Sequence, residues 1–333
     1  MAAADAELPD PRRVDRTGEL NDSEQGGYMA SSRMMLVVSL TLLLATVAAY
    51  GGGSGGSSSS SAGGLKGSRS LKSTARFSFP YDVAVDGDDN LWVADSGNSE
   101  IREITTAGAV TTFDGVSSGL EDPVSVTVSG FDDLYISNSN EILLIMPNRV
   151  VSTDAGSDDP GSGNGTGSGA SFDAPADTVL DSAGNLYVAD FGNNEIRKIT
   201  PSEVVTTFAG STTPVSANGT GTAASFHGPY GIAIDEADNL YVTDYYNEEI
   251  REITPGAVVS TFAGSTTPGS HDGDGTNASF RLPAGIAIDS TSGNLYVADR
   301  GNNEIRQIKP DGKVETVAGS TTPGNKDGTA LPR

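Results

Sequence analysis

Cysteine is absent from the 333-residue chain, and histidine occurs only twice, as His227 and His271. The first absence excludes disulfides, thiol catalysis and zinc sites built on cysteine, and two histidines are too few for a three-histidine metal site. Basic residues are also scarce, since 20 Lys and Arg stand against 44 Asp and Glu, a net charge of −24. A surface this acidic repels phosphate backbones, so we expect no nucleic-acid partner.

Three segments precede the part of the chain that is expected to fold. Residues 1–33 are polar without apolar periodicity and are predicted to be a disordered tail. Residues 34–50 carry no charge and predict one helix, either a membrane anchor or a cleaved signal peptide. Arg33 precedes this run and an uncharged Gly/Ser stretch of the linker 51–76 follows it, which favours a cytoplasmic N-terminus. The remainder is therefore expected to be extracellular or luminal, on a single-pass anchor, or secreted if residues 34–50 are cleaved.

A repeat occupies residues 77–333. The motif Asn-Leu-Tyr-Val-Ala-Asp, or a variant of it, begins at positions 90, 133, 185, 239 and 294, which are 43 to 55 residues apart. A proline with an alternating apolar run precedes each motif, and two further strand patterns follow it. Four short strands joined by turns predict one antiparallel sheet per unit. Such sheets are apolar on both faces and need a neighbour on each side, so the units predict an all-β propeller with blades at about 77–120, 121–172, 173–226, 227–280 and 281–333.

Four repeated motifs resemble the NHL repeat over roughly residues 77–320. They are Pro-x-Gly-Ile-Ala-x-Asp, Asn-Leu-Tyr-Val-Ala-Asp, Asn-x-x-Ile-Arg-x-Ile and Val-x-Thr-x-Ala-Gly. The resemblance implies a β-propeller of five or six blades. Residues 326–330, KDGTA, are similar to the start of a loop between blades, and residues 74–77, TARF, to the end of one. This favours a closed ring of five blades, and a sixth blade lost by truncation is the alternative.

The turn Asp-x-x-Asn and the arginine that follows it are interpreted as a structural ion pair inside each blade. Unit two supports this, because Asn138 replaces the aspartate and Leu143 the arginine, so both charges are lost together. The residues within this turn differ between units. The larger ones are candidate anchors for a partner, namely Phe191, Tyr245, Tyr246 and Arg300. The alternative is loop variation without a functional role.

The residue two positions after each repeat proline is expected at the mouth of the central channel. In chain order these residues are Asp82, Ser125, Asp177, Gly231 and Gly285. Asp82 and Asp177 are candidate ligands for a hard cation such as Ca²⁺, although Ca²⁺ prefers six to eight oxygens and the matching positions offer few. Asn164, Asn218 and Asn277 begin Asn-x-Ser/Thr sequons and are candidate glycosylation sites if the domain passes through a eukaryotic secretory route.

These features predict a non-catalytic binding module that contacts a protein or glycan through its loops and needs no cofactor. Propellers that resemble this one also include lactonase-like hydrolases, so the alternative is a metal-dependent hydrolase with a cation in the channel. They include a zinc lyase as well, but this chain lacks the histidine ligands which that enzyme needs. The sequence does not indicate an oligomeric state.

Overall fold

The computed structural model describes residues 75–113 and 119–328. These residues form β-strands, turns and single turns of 3₁₀ helix. The predicted tail, the anchor or signal helix and linker residues 51–74 lie outside the described residues. In the part that is described, no helix is both long enough and apolar enough to cross a membrane.

The strands form five consecutive antiparallel sheets, which confirms the prediction of an all-β propeller with five blades. Blade 1 contains β1 (Pro80–Val85), β2 (Leu91–Asp95), β3 (Glu100–Ile104) and β4 (Val110–Thr112). Blade 2 contains β5 (Pro123–Val128), β6 (Leu134–Asn138), β7 (Glu141–Ile145) and β8 (Val151–Gly156). Blade 3 contains β9 (Gly165–Thr166), β10 (Pro175–Leu180), β11 (Leu186–Asp190), β12 (Glu195–Ile199) and β13 (Val204–Gly210).

The last two blades repeat the pattern of blade 3. Blade 4 contains β14 (Gly219–Thr220), β15 (Pro229–Ile234), β16 (Leu240–Asp244), β17 (Glu249–Ile253) and β18 (Val258–Gly264). Blade 5 contains β19 (Gly273–Asp274), β20 (Pro283–Asp289), β21 (Asn294–Asp299), β22 (Glu304–Ile308) and β23 (Lys313–Gly319). Each blade is a four-stranded meander, and the two-residue strands β9, β14 and β19 pair with the last strand of their blade. The first strands of the meanders, β1, β5, β10, β15 and β20, face the central channel.

Blades 2 to 5 depart from regular pairing between their third and fourth strands. In blade 3, Ile196 pairs with Ala209 but Arg197 pairs with Thr207, so Phe208 is skipped. The same shift follows the corresponding isoleucine in blades 2, 4 and 5. Because of this β-bulge, the side chains of two adjacent residues, the isoleucine and the arginine or leucine that follows it, can both be buried.

The hydrophobic core lies in the seams between blades. Four clusters of buried side chains join blades 1 and 2, 2 and 3, 3 and 4, and 4 and 5. Phe172, Phe226 and Phe280 come at the end of the loop that precedes their blade, are each 0% exposed and lie in three of these seams. Burying one such ring contributes about 1.5–3 kcal/mol. No comparable cluster of described residues joins blade 5 to blade 1.

Candidate functional site

The repeated Asp, Asn and Arg form a polar network inside the blade. In blade 3, Arg197 Nη1 lies 2.8 Å from Asp190 Oδ2, and both side chains are 0% exposed. Asn193 Nδ2 donates to the same carboxylate at 2.8 Å, and the backbone N–H of Asp173 donates to its other oxygen at 2.9 Å. Blades 4 and 5 repeat this ion pair at 2.7 and 2.9 Å. The aspartate and the arginine pair with each other and are not available to a ligand. The Asp, Asn and Arg set is therefore structural, as interpreted from the sequence.

Two groups of loops meet on one side of the propeller, which we call the loop face. The turn between the second and third strands donates backbone hydrogen bonds to the residues that precede the first strand of the same blade. Gly192 donates to Asp173 at 2.8 Å, and Tyr246 donates to His227 at 3.0 Å. Since the turn is held against the entry to the blade, side chains from both loops can form one surface.

Five rings on this side form what we call the aromatic cluster: Phe191, His227, Tyr230, Tyr245 and Tyr246. The Phe191 ring lies 5.8 Å from Tyr230, 6.4 Å from Tyr245 and 6.0 Å from Tyr246, centroid to centroid. Tyr245 and Tyr246 are 4.9 Å apart, and His227 lies 4.8 Å from Tyr246. The cluster spans blades 3 and 4, so the structure brings together three of the four candidate anchors.

The rings of the aromatic cluster are exposed to different degrees. Tyr246 is 37% exposed, Phe191 and His227 are half-buried, and Tyr245 is 0% exposed. Arg300, the fourth candidate anchor, reaches over from blade 5 and donates from Nη1 to the hydroxyl of Tyr245 at 2.8 Å. Burial raises the pKa of Tyr245, so this hydroxyl stays protonated. Tyr245 therefore supports the surface from beneath, while Tyr246 and Phe191 face outward.

Two members of the cluster were not identified from the sequence. Tyr230 follows the repeat proline at a position where the other blades carry Tyr81, Val124, Ala176 and Ala284. A bulky ring among mostly small residues was a signal, but only the packing shows that it contacts Phe191 edge-to-face and Tyr245 at a tilt. His227 was assigned no role. Burial lowers its pKa, so at neutral pH the ring is uncharged and acts as a flat packing surface.

The central channel contains a cavity of about 90 Å³ beneath the loop face. The five residues that follow each proline by two positions all line it, as the repeat predicted: Asp82, Ser125, Asp177, Gly231 and Gly285. Tyr81 and Tyr230 also line the cavity, so Tyr230 connects it to the aromatic cluster. Small-molecule sites usually measure about 300–1,000 Å³, so this cavity is too small for most organic substrates.

The two channel carboxylates link neighbouring blades. Asp82 Oδ2 accepts a hydrogen bond from the backbone N–H of Val126 at 2.9 Å, and Asp177 Oδ2 accepts one from Ile232 at 3.0 Å. The Oδ1 atom of each accepts from the next residue of its own strand at 2.8 Å. Burial raises the pKa of Asp82, and burial together with the charge of Asp82 raises that of Asp177 well above its ordinary value. Both oxygens of each carboxyl therefore already accept a hydrogen bond, and burial disfavours the charged form.

The channel residues do not fit a calcium ion. Among the residues that the structure describes, no three His, Cys, Asp or Glu side chains converge to hold a metal. The Ser125 hydroxyl donates a hydrogen bond to Ser137 Oγ at 2.8 Å. Two carboxyls whose oxygens already accept backbone hydrogen bonds fall far short of six to eight oxygen ligands.

The three sequon asparagines are exposed in the loops between blades. Asn164 Oδ1 accepts from Arg197 Nη2 at 2.9 Å, and Asn218 Oδ1 accepts from Arg251 Nη2 at 2.7 Å. These bonds use the oxygen and not the nitrogen to which a glycan is joined. The local geometry is therefore compatible with modification at Asn164, Asn218 and Asn277, which stays a prediction.

Comparisons with known proteins agree with the repeat. A family model described as NHL repeat matches residues 77–104, 172–199 and 280–308. NHL repeat-containing protein 2 of Bos taurus is 29% identical over 162 residues, which are 44% of this chain and 22% of the bovine protein. The chain thus spans only a small part of the curated relatives that it matches.

Solved structures share the architecture at low sequence identity. An auxiliary nutrient binding protein from Bacteroides ovatus is 19% identical with a TM-score of 0.58, over 73% of this chain and 60% of that one. A streptogramin B lyase is 17% identical with a TM-score of 0.50, over 75% of this chain and 87% of that one. Likeness at this level shows the propeller fold, and the same fold serves both binding and catalysis in these two proteins.

Proposed function

This chain is a member of the NHL-repeat family, and we propose that its propeller is a non-catalytic binding module which holds a protein or glycan partner on the loop face. The aromatic cluster is the observation that carries the proposal. Aromatic side chains provide large contact area with few rotatable bonds, and they are enriched among the residues that dominate binding energy. Tyr246 and Phe191 present such area at the surface.

The aromatic cluster is preorganised in the structure without a partner. Tyr245 is fully buried and tied to Arg300, and its ring contacts both outward-facing rings at 4.9 and 6.4 Å. A preorganised surface loses less side-chain entropy on binding than a flexible one. Arg300 adds a cation at the border of the cluster, where it can pair with an acidic group at the edge of an otherwise apolar contact.

The location of the module is proposed from the sequence. The uncharged run 34–50 supports a single-pass anchor with the propeller outside the cytoplasm, or secretion if that run is cleaved. The exposed sequons support glycosylation on a eukaryotic secretory route. A partner would then be another cell-surface or secreted protein, or a glycan.

Binding can be tested before the natural partner is identified. Ligands for the wild-type protein are selected from a displayed peptide library and from a glycan array, and their affinities are then measured on variants. Tyr246→Ala and Phe191→Ala should each weaken binding about tenfold or more, since truncating an anchor costs about 1.4 kcal/mol or more. Phe131→Ala is the matched control, because Phe131 is an 85% exposed aromatic in the turn between the first and second strands of blade 2.

The outcomes are distinct. Loss of affinity in both cluster variants, with Phe131→Ala unchanged, supports the loop face as the binding surface. Ligands that bind Tyr246→Ala and Phe191→Ala as well as wild type would show that the aromatic cluster is only a packed seam.

Metal-dependent hydrolysis is the competing function, and the observation in its favour is that Asp82 and Asp177 share one cavity. Calcium titration by calorimetry measures it directly. Tight binding that is lost in both Asp82→Ala and Asp177→Ala would establish a channel cation and favour the enzyme. Because both carboxyls already use their oxygens, we expect no such binding.

A further inference from the structure

Four seams of the propeller hold a buried apolar cluster, and among the described residues the seam between blade 5 and blade 1 does not. The first strands of successive blades adjoin from β1 through β5, β10 and β15 to β20, whereas β20 and β1 do not adjoin in this way. Within residues 75–113 and 119–328, two apolar faces therefore lack the neighbour that the other blades have.

The side chains on these two faces are more exposed than their counterparts. Isoleucine and alanine at the matching positions of blades 2, 3 and 4 are 0% exposed, but Ile305 and Ala318 of blade 5 are half-buried. On blade 1, Leu91 and Phe77 are half-buried, while the corresponding leucines and phenylalanines are 0% to 2% exposed. Each face thus has the apolar residues that are buried between blades elsewhere, but no neighbouring blade covers it among the described residues.

In blades 3, 4 and 5 a residue from the preceding loop locks the buried arginine. We call it the latch residue. Arginine Nη2 donates to its side-chain oxygen at 2.9, 2.7 and 2.7 Å, and the pairs are Arg197 with Asn164, Arg251 with Asn218 and Arg306 with Asp272. Each latch residue lies eight positions after the glycine that ends the previous blade and eight before the phenylalanine of its own blade. The latch is therefore the point at which one blade is fastened to the next.

Arg102 of blade 1 has no latch residue among residues 75–113 and 119–328. Its Nη1 contacts Asp95 at 3.2 Å, but no described residue accepts from its Nη2, and its side chain is 14% exposed where the other three are 0%. Eight positions before Phe77 the sequence has Arg69, whose positive charge cannot accept a hydrogen bond from Arg102. The matching position in the segment that precedes blade 1 therefore does not offer an acceptor.

The segment that follows blade 5 contains one. Residues 319–328 read GSTTPGNKDG, and residues 264–273, which carry the latch Asp272, read GSTTPGSHDG. Asp327 stands eight positions after Gly319, as Asp272 does after Gly264, and it is exposed in the structure. Asp327 is thus an acceptor with the same charge and the same spacing as Asp272, and it does not contact an arginine among the described residues.

We propose that Asp327 is the latch residue for Arg102, and that the C-terminal segment fastens blade 5 onto blade 1 of the same molecule. The half-buried faces that include Ile305 and Leu91 then cover each other. The open seam is occupied by the chain itself and not by a sixth sheet.

The absence of cysteine makes an engineered disulfide a clean test. Thr166, two positions after the latch Asn164, pairs with Val204, seven positions after Arg197. The matching positions for the proposed latch are Thr329 and Ala109. In the full chain, Ala109→Cys/Thr329→Cys should oxidise within the monomer to the same extent as the control Thr166→Cys/Val204→Cys. Adding Asp327→Lys should abolish cross-linking of the first pair, because it places a cation against Arg102.

Three results would overturn the proposal. A disulfide-linked dimer would show that a second copy fills the seam. If Ala109→Cys/Thr329→Cys stays reduced while the control pair oxidises, the C-terminal segment does not reach blade 1, and a sixth sheet becomes the better explanation of the open seam. If cross-linking persists with Asp327→Lys, the terminus meets blade 1 by random motion and does not depend on a contact between Asp327 and Arg102. If the control pair itself fails to oxidise, melting temperatures decide. Both Asp327→Lys and the control Asp272→Lys, which breaks the observed contact with Arg306, should lower the melting temperature, and a loss in Asp272→Lys alone refutes the latch.

Discussion

Replacing Arg251 by leucine leaves the carboxylate of Asp244 buried without its cation. The two side chains are 0% exposed and their closest atoms are 2.7 Å apart. Arg251 also donates to the backbone oxygens of Ser225 and Ala217, at 3.2 and 3.1 Å. Breaking a buried pair from one side costs about 3–5 kcal/mol, because the remaining charge has no compensation. We therefore expect Arg251→Leu to lower the free energy of unfolding by that amount.

Blade 2 suggests how to recover part of this loss. There Asn138 and Leu143 occupy the two positions, and both are buried. Asn138 accepts from the backbone N–H of Glu121 at 2.7 Å, as Asp244 accepts from His227 at 2.7 Å, so an asparagine at 244 can keep this bond. The double variant Asp244→Asn/Arg251→Leu removes the stranded charge. Its residual cost should be about 1–3 kcal/mol, from backbone oxygens left unpaired.

Urea unfolding followed by circular dichroism measures both variants, and Asp190→Asn/Arg197→Leu in blade 3 is the matched repeat of the experiment. A double variant as unstable as Arg251→Leu would refute the reasoning. It would mean that the cost comes from the lost packing and backbone bonds of the arginine and not from the uncompensated carboxylate.

Three further predictions concern single side chains. Burial raises the pKa of Asp154 to about 6, so its stabilising proton is fully bound below about pH 4 and is lost as pH rises through 6. Asp154→Asn should therefore gain about 1–3 kcal/mol relative to wild type between pH 5 and 8 in urea titrations, and a difference independent of pH would contradict this. Phe226→Ala should cost about 3–5 kcal/mol by creating a cavity in a complete seam, and Phe77→Ala less because Phe77 is half-buried; equal melting-temperature losses would argue against it. Tyr245→Phe removes the bond from Arg300 and should weaken ligand binding while the melting temperature changes little, which calorimetry and thermal unfolding separate.

Much of the fold was predictable because the repeat supplies its own internal comparison. Five copies of one strand pattern predicted five meanders, and the joint loss of charge at Asn138 and Leu143 predicted the buried Asp–Arg pair. The five residues that follow the repeat prolines were placed correctly around the channel. These predictions depend on local pattern and on strand order, both of which are carried along the chain.

The candidate site was predicted only in part. Phe191, Tyr245 and Tyr246 do lie together, but Tyr245 is buried and Tyr230 and His227 complete the cluster. Ring contacts between blades depend on the angle at which two sheets meet. No property of either repeat unit alone encodes that angle.

The sequence by itself determined the blades, the polar network in each and the loop face, because these arise within a unit of about 50 residues through hydrogen bonds and alternating burial. The tertiary structure alone decided which seams are complete, how far each ring of the aromatic cluster is exposed and how small the channel cavity is. Those properties arise between units, where the burial of a side chain is set by a neighbour distant in sequence.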